Sequence, residues 1–339
     1  MKNKKIHICD VTIHPGESAN LAMPLPERYS CAPMYMPLKV IHGKQEGPCV
    51  LIFSTLNGNE LNGIEIVNRV VDNVDPNKIK GTLIAIPVLN VYGLTLSSDS
   101  LPGGGSLADC FPGSEDGSFG ERFAHLFTHE ILKKADYCIE LKTGSLNHNI
   151  LPQVYCNFDN LKAKKLAKAF QAPVVTNVVF EANTLRQTTE DLQIPFLVYE
   201  AGEAMRFDEN AINVGVNGVL NVMREVDLME KESVKEISPI FSKDEDWIIA
   251  HKGGILHSNV SLGQMIEKHE VLGNIVDPFG SDISEKLKAN DKGIIVGINT
   301  TPLVYEGMSI FKVLSFLDYD KAENIIEKWD EKQEDSFLN

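Results

Sequence analysis

Apolar and polar positions follow two different grammars along this chain. From Leu38 to about Glu225, short runs rich in Val, Ile and Leu alternate with longer amphipathic stretches, the rhythm of a sheet covered by helices on both faces. The runs predict strands at Leu38–His42, Val50–Thr55, Thr82–Val88, Tyr137–Leu141, Val174–Val179 and Phe196–Glu200. The amphipathic stretches predict helices at Glu60–Asp72, Phe119–Lys134, Asn160–Gln171, Thr184–Leu192 and Glu209–Glu225. Between Val88 and Phe119 lies a long irregular segment containing LPGGGSLADCFPG; connections of that length inside a compact domain usually carry a site.

Past Glu225 the grammar changes. The stretch REVDLMEKESVKEISPIFSKDED is charged and aperiodic, and it marks a linker (229–246) between an α/β domain (1–228) and the C-terminal third of the chain. In that third, short apolar pieces, WIIA, GGILH, EVLGNIVDPFG, KGIIVGI and SIFKVL, are separated by Gly-rich turns, predicting a small all-β domain over 247–316. The last residues, 317–339, form an acidic, helix-prone tail. The expected fold class is therefore α/β, a sheet flanked by helices, with a small C-terminal all-β domain.

Composition narrows the partners. The chain has 339 residues, 43% hydrophobic and 23% charged, ordinary for a globular protein with a large core. Its formal charge of −15 repels phosphate backbones and anionic lipid, so neither nucleic acid nor a membrane surface is an expected partner. The N-terminus MKNKKIHICDVTIHPGES has no apolar run of signal length, and no stretch approaches the roughly 18 apolar residues of a span. A cytoplasmic location is the expectation. The six cysteines are scattered without a CxxC pair and read as free thiols. An acidic surface with a C-terminal helix is compatible with a homo-oligomer.

The chemistry-bearing residues lie in ordered segments. Strand Val50–Thr55 runs into STLNGNELNGIEIV, followed by IPVLNVYG (Ile86–Gly93), FPG (Phe111–Gly113) with GSFGERFAH, ADYCIELKTGS (Ala135–Ser145) and TLRQTTEDLQIPFLVYEAGE (Thr184–Glu203). Together with GGILHSNVSLG and VLGNIVDPFG near the C-terminus, they resemble the succinylglutamate desuccinylase/aspartoacylase family from Lys39 to about Lys312. The resemblance implies a zinc carboxypeptidase-like fold with a mixed sheet, and a zinc-dependent amide hydrolase acting on N-acyl amino acids. Such a reaction needs a strong nucleophile and a Lewis acid, and zinc held by two His and one Glu supplies both. In the family the first His and the Glu come from HGxE and the second His from DLHT. A further Glu in a V-E-x-G strand is the general base, and an Asn-Arg pair before FPG grips the substrate.

Carried over residue by residue, the resemblance breaks at the chemistry. Asn57 stands at the first zinc-ligand position, Glu60 keeps the second, and Lys142 stands at the third. Asparagine is a weak zinc ligand and a protonated lysine is none, so the expected arrangement pairs Lys142 with Glu60 across the metal space. Ala108 and Asp109 replace the Asn-Arg clamp; alanine offers no hydrogen bond and aspartate repels a carboxylate. Glu200 sits at the general-base position and Arg186 at a substrate-side arginine. Glu200 is either a base or an ion-pair partner of Lys142 or Arg186, and Arg186 either lines the pocket or braces its own helix.

Other candidates are weaker. His148, just past the Lys142 strand, lies in a loop that the family uses near its pocket and is a possible ligand contact. His125 and His129 are four apart but not in HExxH order, which favours packing over metal binding. Cys110 has no evident His partner, and Gly103–Gly105 lacks the context of a phosphate loop. Three functions compete: a non-catalytic homologue kept as a binding or regulatory module, with a small acyl-amino-acid-like molecule as the expected ligand; a hydrolase of an N-acyl amino acid or peptide-like amide with an altered metal site or with Glu60 and Glu200 as a carboxylate pair; and an orthodox zinc deacylase. The joint change at Asn57, Ala108, Asp109 and Lys142 favours the first.

Overall fold

The computed structural model describes residues 3–27, 33–232, 238–242, 244–280, 284–315, 325–326 and 328–329. The chain opens with a hairpin, β1 (Ile6–Ile8) and β2 (Val11–Ile13), then the antiparallel pair β3 (Glu17–Pro24) and β4 (Tyr35–His42). Next come β5 (Gln45–Ser54), α1 (Asn62–Asp72), β6 (Lys80–Ile86) and the short α2 (Val91–Leu96). A 3-10 turn (Leu107–Cys110) leads to α3 (Phe119–Glu130), then β7 (Tyr137–Lys142), β8 (His148–Cys156), α4 (Leu161–Phe170) and β9 (Val174–Asn177). The α/β part ends with α5 (Leu185–Asp191), β10 (Phe196–Gly202) and α6 (Glu209–Glu225).

Strands β6, β5, β7 and β10 run parallel, while β4 on one side and β8 on the other run antiparallel to them. The sheet is mixed and both faces of its centre are buried, which is why these strands read as nearly continuous apolar runs. Val50, Ile52, Ile139, Leu197 and Tyr199 point to one core, shared with α1, α4 and α6. Leu51, Phe53, Cys138, Phe196 and Val198 point to the other, shared with α3 and the N-terminal hairpin.

β8 escapes the sequence reading. All but a few of its side chains are buried, so it lacks a period of two, and Pro152 in its middle argues against a strand. The register between β10 and β8 shifts next to that proline, and an irregularity is where a sheet tolerates one. The segment expected to be irregular also contains α2, nucleated by Asn90, whose side chain accepts from the Gly93 amide. The helix expected to reach Lys134 breaks at Ile131, after which Leu132–Lys134 tighten into a 3-10 turn.

The expected linker 229–246 is corrected by two strands. β11 (Ile240–Ser242) lies parallel to β9, and β12 (Asp244–Ile249) follows at once. The rest is all-β: β13 (Gly254–Ser258), β14 (Met265–Ile266), β15 (Val271–Val276), β16 (Ser284–Lys288), β17 (Gly293–Asn299), β18 (Leu303–Val304) and β19 (Ser309–Ser315). β16, β15, β13 and β18 form a separate four-stranded sheet, but β17 pairs with β8 and carries β19 and β12 outward, so the main sheet runs unbroken into the C-terminal region. Of the acidic tail, most lies outside the described residues; Ile325, Ile326 and Trp329 are buried in the α1/α4/α6 core. No described helix is long and apolar enough to cross a membrane.

Candidate functional site

In open α/β sheets, ligands bind beyond the carboxyl ends of the parallel strands. Here Glu60 lies in the turn after β5, Lys142 ends β7, and Glu200 lies near the end of β10. Register places Glu200 directly beside Lys142 on β7 and opposite Gln153 on β8. Glu140, two residues before Lys142, lies between Phe53 and Val198, whose side chains enter the α3-side core. Alternation therefore assigns Glu140, Lys142 and Glu200 to that same face.

The turn after β5 is held tightly. Thr55 adopts a left-handed backbone, φ 59°, rare for a β-branched residue, and its hydroxyl donates to the carbonyls of Glu60 (3.2 Å) and Pro87 (3.3 Å). Asn57 donates to the Glu60 carboxylate twice, from its backbone amide (3.3 Å) and its side-chain amide (3.0 Å). Asn90 adds a clamp from the side, donating to the Leu56 carbonyl at 3.2 Å. Asn57 thus orients the Glu60 carboxylate.

Lys142 lies between two acids. Its Nζ is 3.4 Å from Glu200 Oε1 and 3.9 Å from Glu60 Oε1. The sequence pairs Lys142 with Glu60; the structure makes Glu200 the nearer partner, with Glu60 on the other flank. Electrostatics separates the two acids. Glu60 is 3% exposed, and burial pushes its carboxyl up to about 7, against the opposing pull of Lys142 and the hydrogen bonds from Asn57. Burial would raise Glu200 too, but Lys142, Lys312 and a hydrogen bond from Tyr155 outweigh it and hold Glu200 below the usual carboxylate range. Lys142 is held above the ordinary lysine range, first by Glu200, with burial opposing and Glu60 adding.

The network continues into the C-terminal strands. Lys312 on β19 donates to the Tyr155 hydroxyl at 2.9 Å and pairs with Glu245 on β12 at 2.5 Å, and Tyr155 donates to Glu245 at 3.3 Å. The Lys312 ammonium also faces the Tyr155 and Trp247 rings. Gln153 is fully buried, and its amide has no hydrogen-bond partner among the described residues.

The remaining candidates separate. Arg186 reaches from α5 to Glu140, not to Glu200 or its own helix, in a two-pronged pair of 3.0 and 3.2 Å. Its guanidinium is held above its ordinary range chiefly by Glu140. Ala108 and Asp109 lie on the 3-10 turn; Ala108 packs against the α3-side core and Asp109 is exposed, and no described ion pair ties Asp109 to Lys142 or Arg186. His148 begins β8, edge-on to Trp247 with centroids 5.1 Å apart and ring nitrogens near the Leu146 and Ser309 carbonyls, at 3.1 and 3.3 Å. It therefore braces β8 against the C-terminal strands. His125 and His129 stack, and His129 spends its nitrogens on the His125 carbonyl and Lys133. The Cys110 thiol is pushed up by burial, with Glu121 and Asp109 adding, which disfavours the thiolate. A groove of about 520 Å³ bordered by Leu21, Leu38, Val67 and Pro87 lies at the β3–β4 edge, and none of the ionised site residues lines it.

Glu140, Tyr155, Lys312 and Glu245 are missed by sequence reasoning. Only Glu140 left a signal, its spacing of two from Lys142 on a strand. The others meet through antiparallel pairings that no local pattern encodes.

The residues at the zinc-ligand positions do not fit a zinc ion. Lys142 is held protonated by its neighbours and has no lone pair to give, and its charge repels a dication at the place where the second imidazole would act. Asn57 offers a metal only its neutral amide oxygen, a weak zinc ligand, while its side-chain NH2 donates to Glu60. Among the described residues no group of three or more His, Cys, Asp or Glu side chains is arranged to hold a metal.

Comparison with known proteins agrees with this architecture. The sequence model of the succinylglutamate desuccinylase/aspartoacylase catalytic domain matches residues 46–226. The N-alpha-acetyl-L-2,4-diaminobutyric acid deacetylase of Halomonas elongata is 24% identical over 273 residues, 77% of this chain and 80% of that protein. The product-bound ectoine utilization protein EutE of Ruegeria pomeroyi superposes with a TM-score of 0.79 at 20% identity, over 88% of this chain and 95% of that one. A succinylglutamate desuccinylase/aspartoacylase of Rhodobacter sphaeroides gives 0.78 at 20% identity, over 88% and 96%. At these identities the solved structures speak for the fold alone, whereas the domain match covers more than half of the chain. The chain belongs to the succinylglutamate desuccinylase/aspartoacylase family, whose members are typically zinc-dependent.

Proposed function

We propose that this protein is a binding homologue of the family's zinc hydrolases, which holds a small ligand resembling an N-acyl amino acid without performing the zinc reaction. The observation that carries the reading is the Lys142 ammonium between Glu60 and Glu200, at 3.9 and 3.4 Å. A fixed positive charge attracts a ligand carbonyl or carboxylate much as a metal does, and an ammonium has three donors, of which two face the acids. It does not generate a hydroxide at neutral pH, which is what amide hydrolysis requires of zinc. The deacetylase relative in Halomonas elongata supports N-acyl amino acids as the ligand class.

The test measures zinc content in the purified protein and amine release from a panel of N-acyl amino acids, with and without added metal, beside ligand-induced thermal shifts. Thermal shifts without zinc and without turnover are expected. Stoichiometric zinc with chelator-sensitive turnover overturns the proposal.

One observation favours a second reading. Glu60 is raised to about 7 while Glu200 is lowered, and carboxyl groups pushed apart in this way are the usual basis of an acid–base pair. A metal-independent hydrolase using Glu60 as acid and Glu200 as base would show turnover in chelator that Glu200→Gln abolishes.

A further inference from the structure

Exposed apolar side chains scattered singly over a surface need no explanation, but a group of them around a site does. Leu96, Leu146, Met205 and Phe207 are between 46% and 68% exposed; Leu96 ends α2, the helix after β6, and the other three lie in the loops that follow β7 and β10 at their carboxyl ends. Backbone hydrogen bonds tie these loops to the turn carrying Asn57 and Glu60. Met205 donates to the Asn59 carbonyl at 2.9 Å, and Gly58 donates to the carbonyl of Ser98, two residues past Leu96, at 2.8 Å. Gly144, two residues past Lys142 and two before Leu146, donates to the Gly202 carbonyl at 3.1 Å. The amide after Phe207, that of Asp208, donates to the side chain of Asn62 at 3.0 Å, at the start of α1. The segments that carry these four residues are therefore tied by hydrogen bonds into one frame around the carboxyl ends where Glu60, Lys142 and Glu200 meet.

Met205 adds a second observation. Its backbone is left-handed, φ 60°, a conformation that an unbranched apolar residue rarely adopts and that concentrates at functional sites. The strained residue nevertheless leaves its apolar side chain in water. Arg206, between the two apolar residues, is tied to Glu203 at 3.4 Å, so its charge has a local partner.

We propose that the ligand of this site carries an acyl chain longer than acetyl, whose methylenes lie on the rim formed by Leu96, Leu146, Met205 and Phe207. This rests on the reading of the site as a binder of N-acyl amino acids. In such a ligand the carboxylate is the group that the Lys142 ammonium attracts, and the acyl chain is the uncharged end that extends away from it over the frame. Contact with methylenes removes apolar area from water on both partners.

The experiment measures dissociation constants of the full chain for N-acetylglycine, N-hexanoylglycine and N-octanoylglycine by calorimetry, with N-acetyl-leucine as a comparison. Hexanoylglycine is expected to bind on the order of tenfold tighter than acetylglycine, part of what full burial of four methylenes gives. Met205→Ser combined with Phe207→Ser should bring that ratio to within about twofold, and Leu146→Ser alone should lower it. Phe279→Ser, at a 94% exposed position in the turn between β15 and β16, should keep the native ratio. Equal affinity along the acyl series overturns the proposal, as does a gain that survives in the double variant or that tracks the leucine side chain instead of the acyl chain. If none of the N-acyl amino acids binds, the proposed function itself falls and takes this inference with it.

Discussion

Lys142 does two jobs that residue chemistry alone makes incompatible with zinc: it supplies a positive charge, and it has no electron pair to bind a metal. If the donor set is what separates this chain from a metal site, restoring it should restore the metal. The double variant Asn57→His with Lys142→His is expected to co-purify with zinc by elemental analysis where the native protein does not; an equal, substoichiometric content in both would refute this. Glu60 makes a second prediction. Its folded carboxyl lies at about 7 against an ordinary 4.5, so between these values the folded state binds more protons than the unfolded one. Its contribution to stability is complete below about pH 4.5 and is lost as pH rises towards 7. Glu60→Gln should therefore flatten the fall in stability between pH 5 and 7, by on the order of 2 kcal/mol, as measured by urea denaturation at a series of pH values. Glu200 acts in the opposite sense, since a lowered carboxyl contributes above its unfolded value and loses that contribution in acid.

At the scale of elements, the site depends on how closely the turn after β5 approaches α2. A Cβ on Gly58 would come within 1.9 Å of the Gly93 carbonyl group, which is backbone and cannot rotate away. Gly58→Ala must therefore push the turn off α2 and carry Asn57 and Glu60 with it. The expected loss is about 2 kcal/mol or more, together with weaker ligand binding. A variant with native stability by urea denaturation and native binding would show that the turn adapts without strain.

For the whole molecule, the question is whether the C-terminal β region is a separable unit. It has a core of its own, with Leu256, Leu272, Ile275, Ile310 and Phe311. Its strand β17 nevertheless pairs with β8, and Lys312 on β19 reaches Tyr155 and influences Glu200. Ending the chain at residue 238 would expose the buried edge of β8 and remove Ile294, Val296 and Leu314 from the α1/α4/α6 core. Such a fragment is expected to lack a cooperative thermal transition by circular dichroism and to be cut rapidly by protease. A cooperative transition would show that the α/β part folds without its C-terminal strands.

The linear order of residues determined a good deal. The parallel strands, α1, α4, α5 and α6 could be read from apolar runs and periodicity, because each pattern reports the burial of its own element. The identities of Asn57, Glu60, Lys142 and Glu200 were equally legible, because a motif places a side-chain type at a strand end whatever surrounds it. The tertiary structure alone decided the partners. Arg186 meets Glu140 because α5 packs against β10, the neighbour of β7, Glu200 is shared between Lys142 and a tyrosine and lysine from strands far along the chain, and β8 is a strand despite Pro152 because both its faces are covered. It also joined the all-β region to the main sheet through the pairing of β17 with β8, and placed β11 and the start of β12 where a linker is expected. Ion pairing and sheet register depend on distances between segments remote in sequence, and in this protein those distances set the Lys142 ammonium between the carboxylates of Glu60 and Glu200.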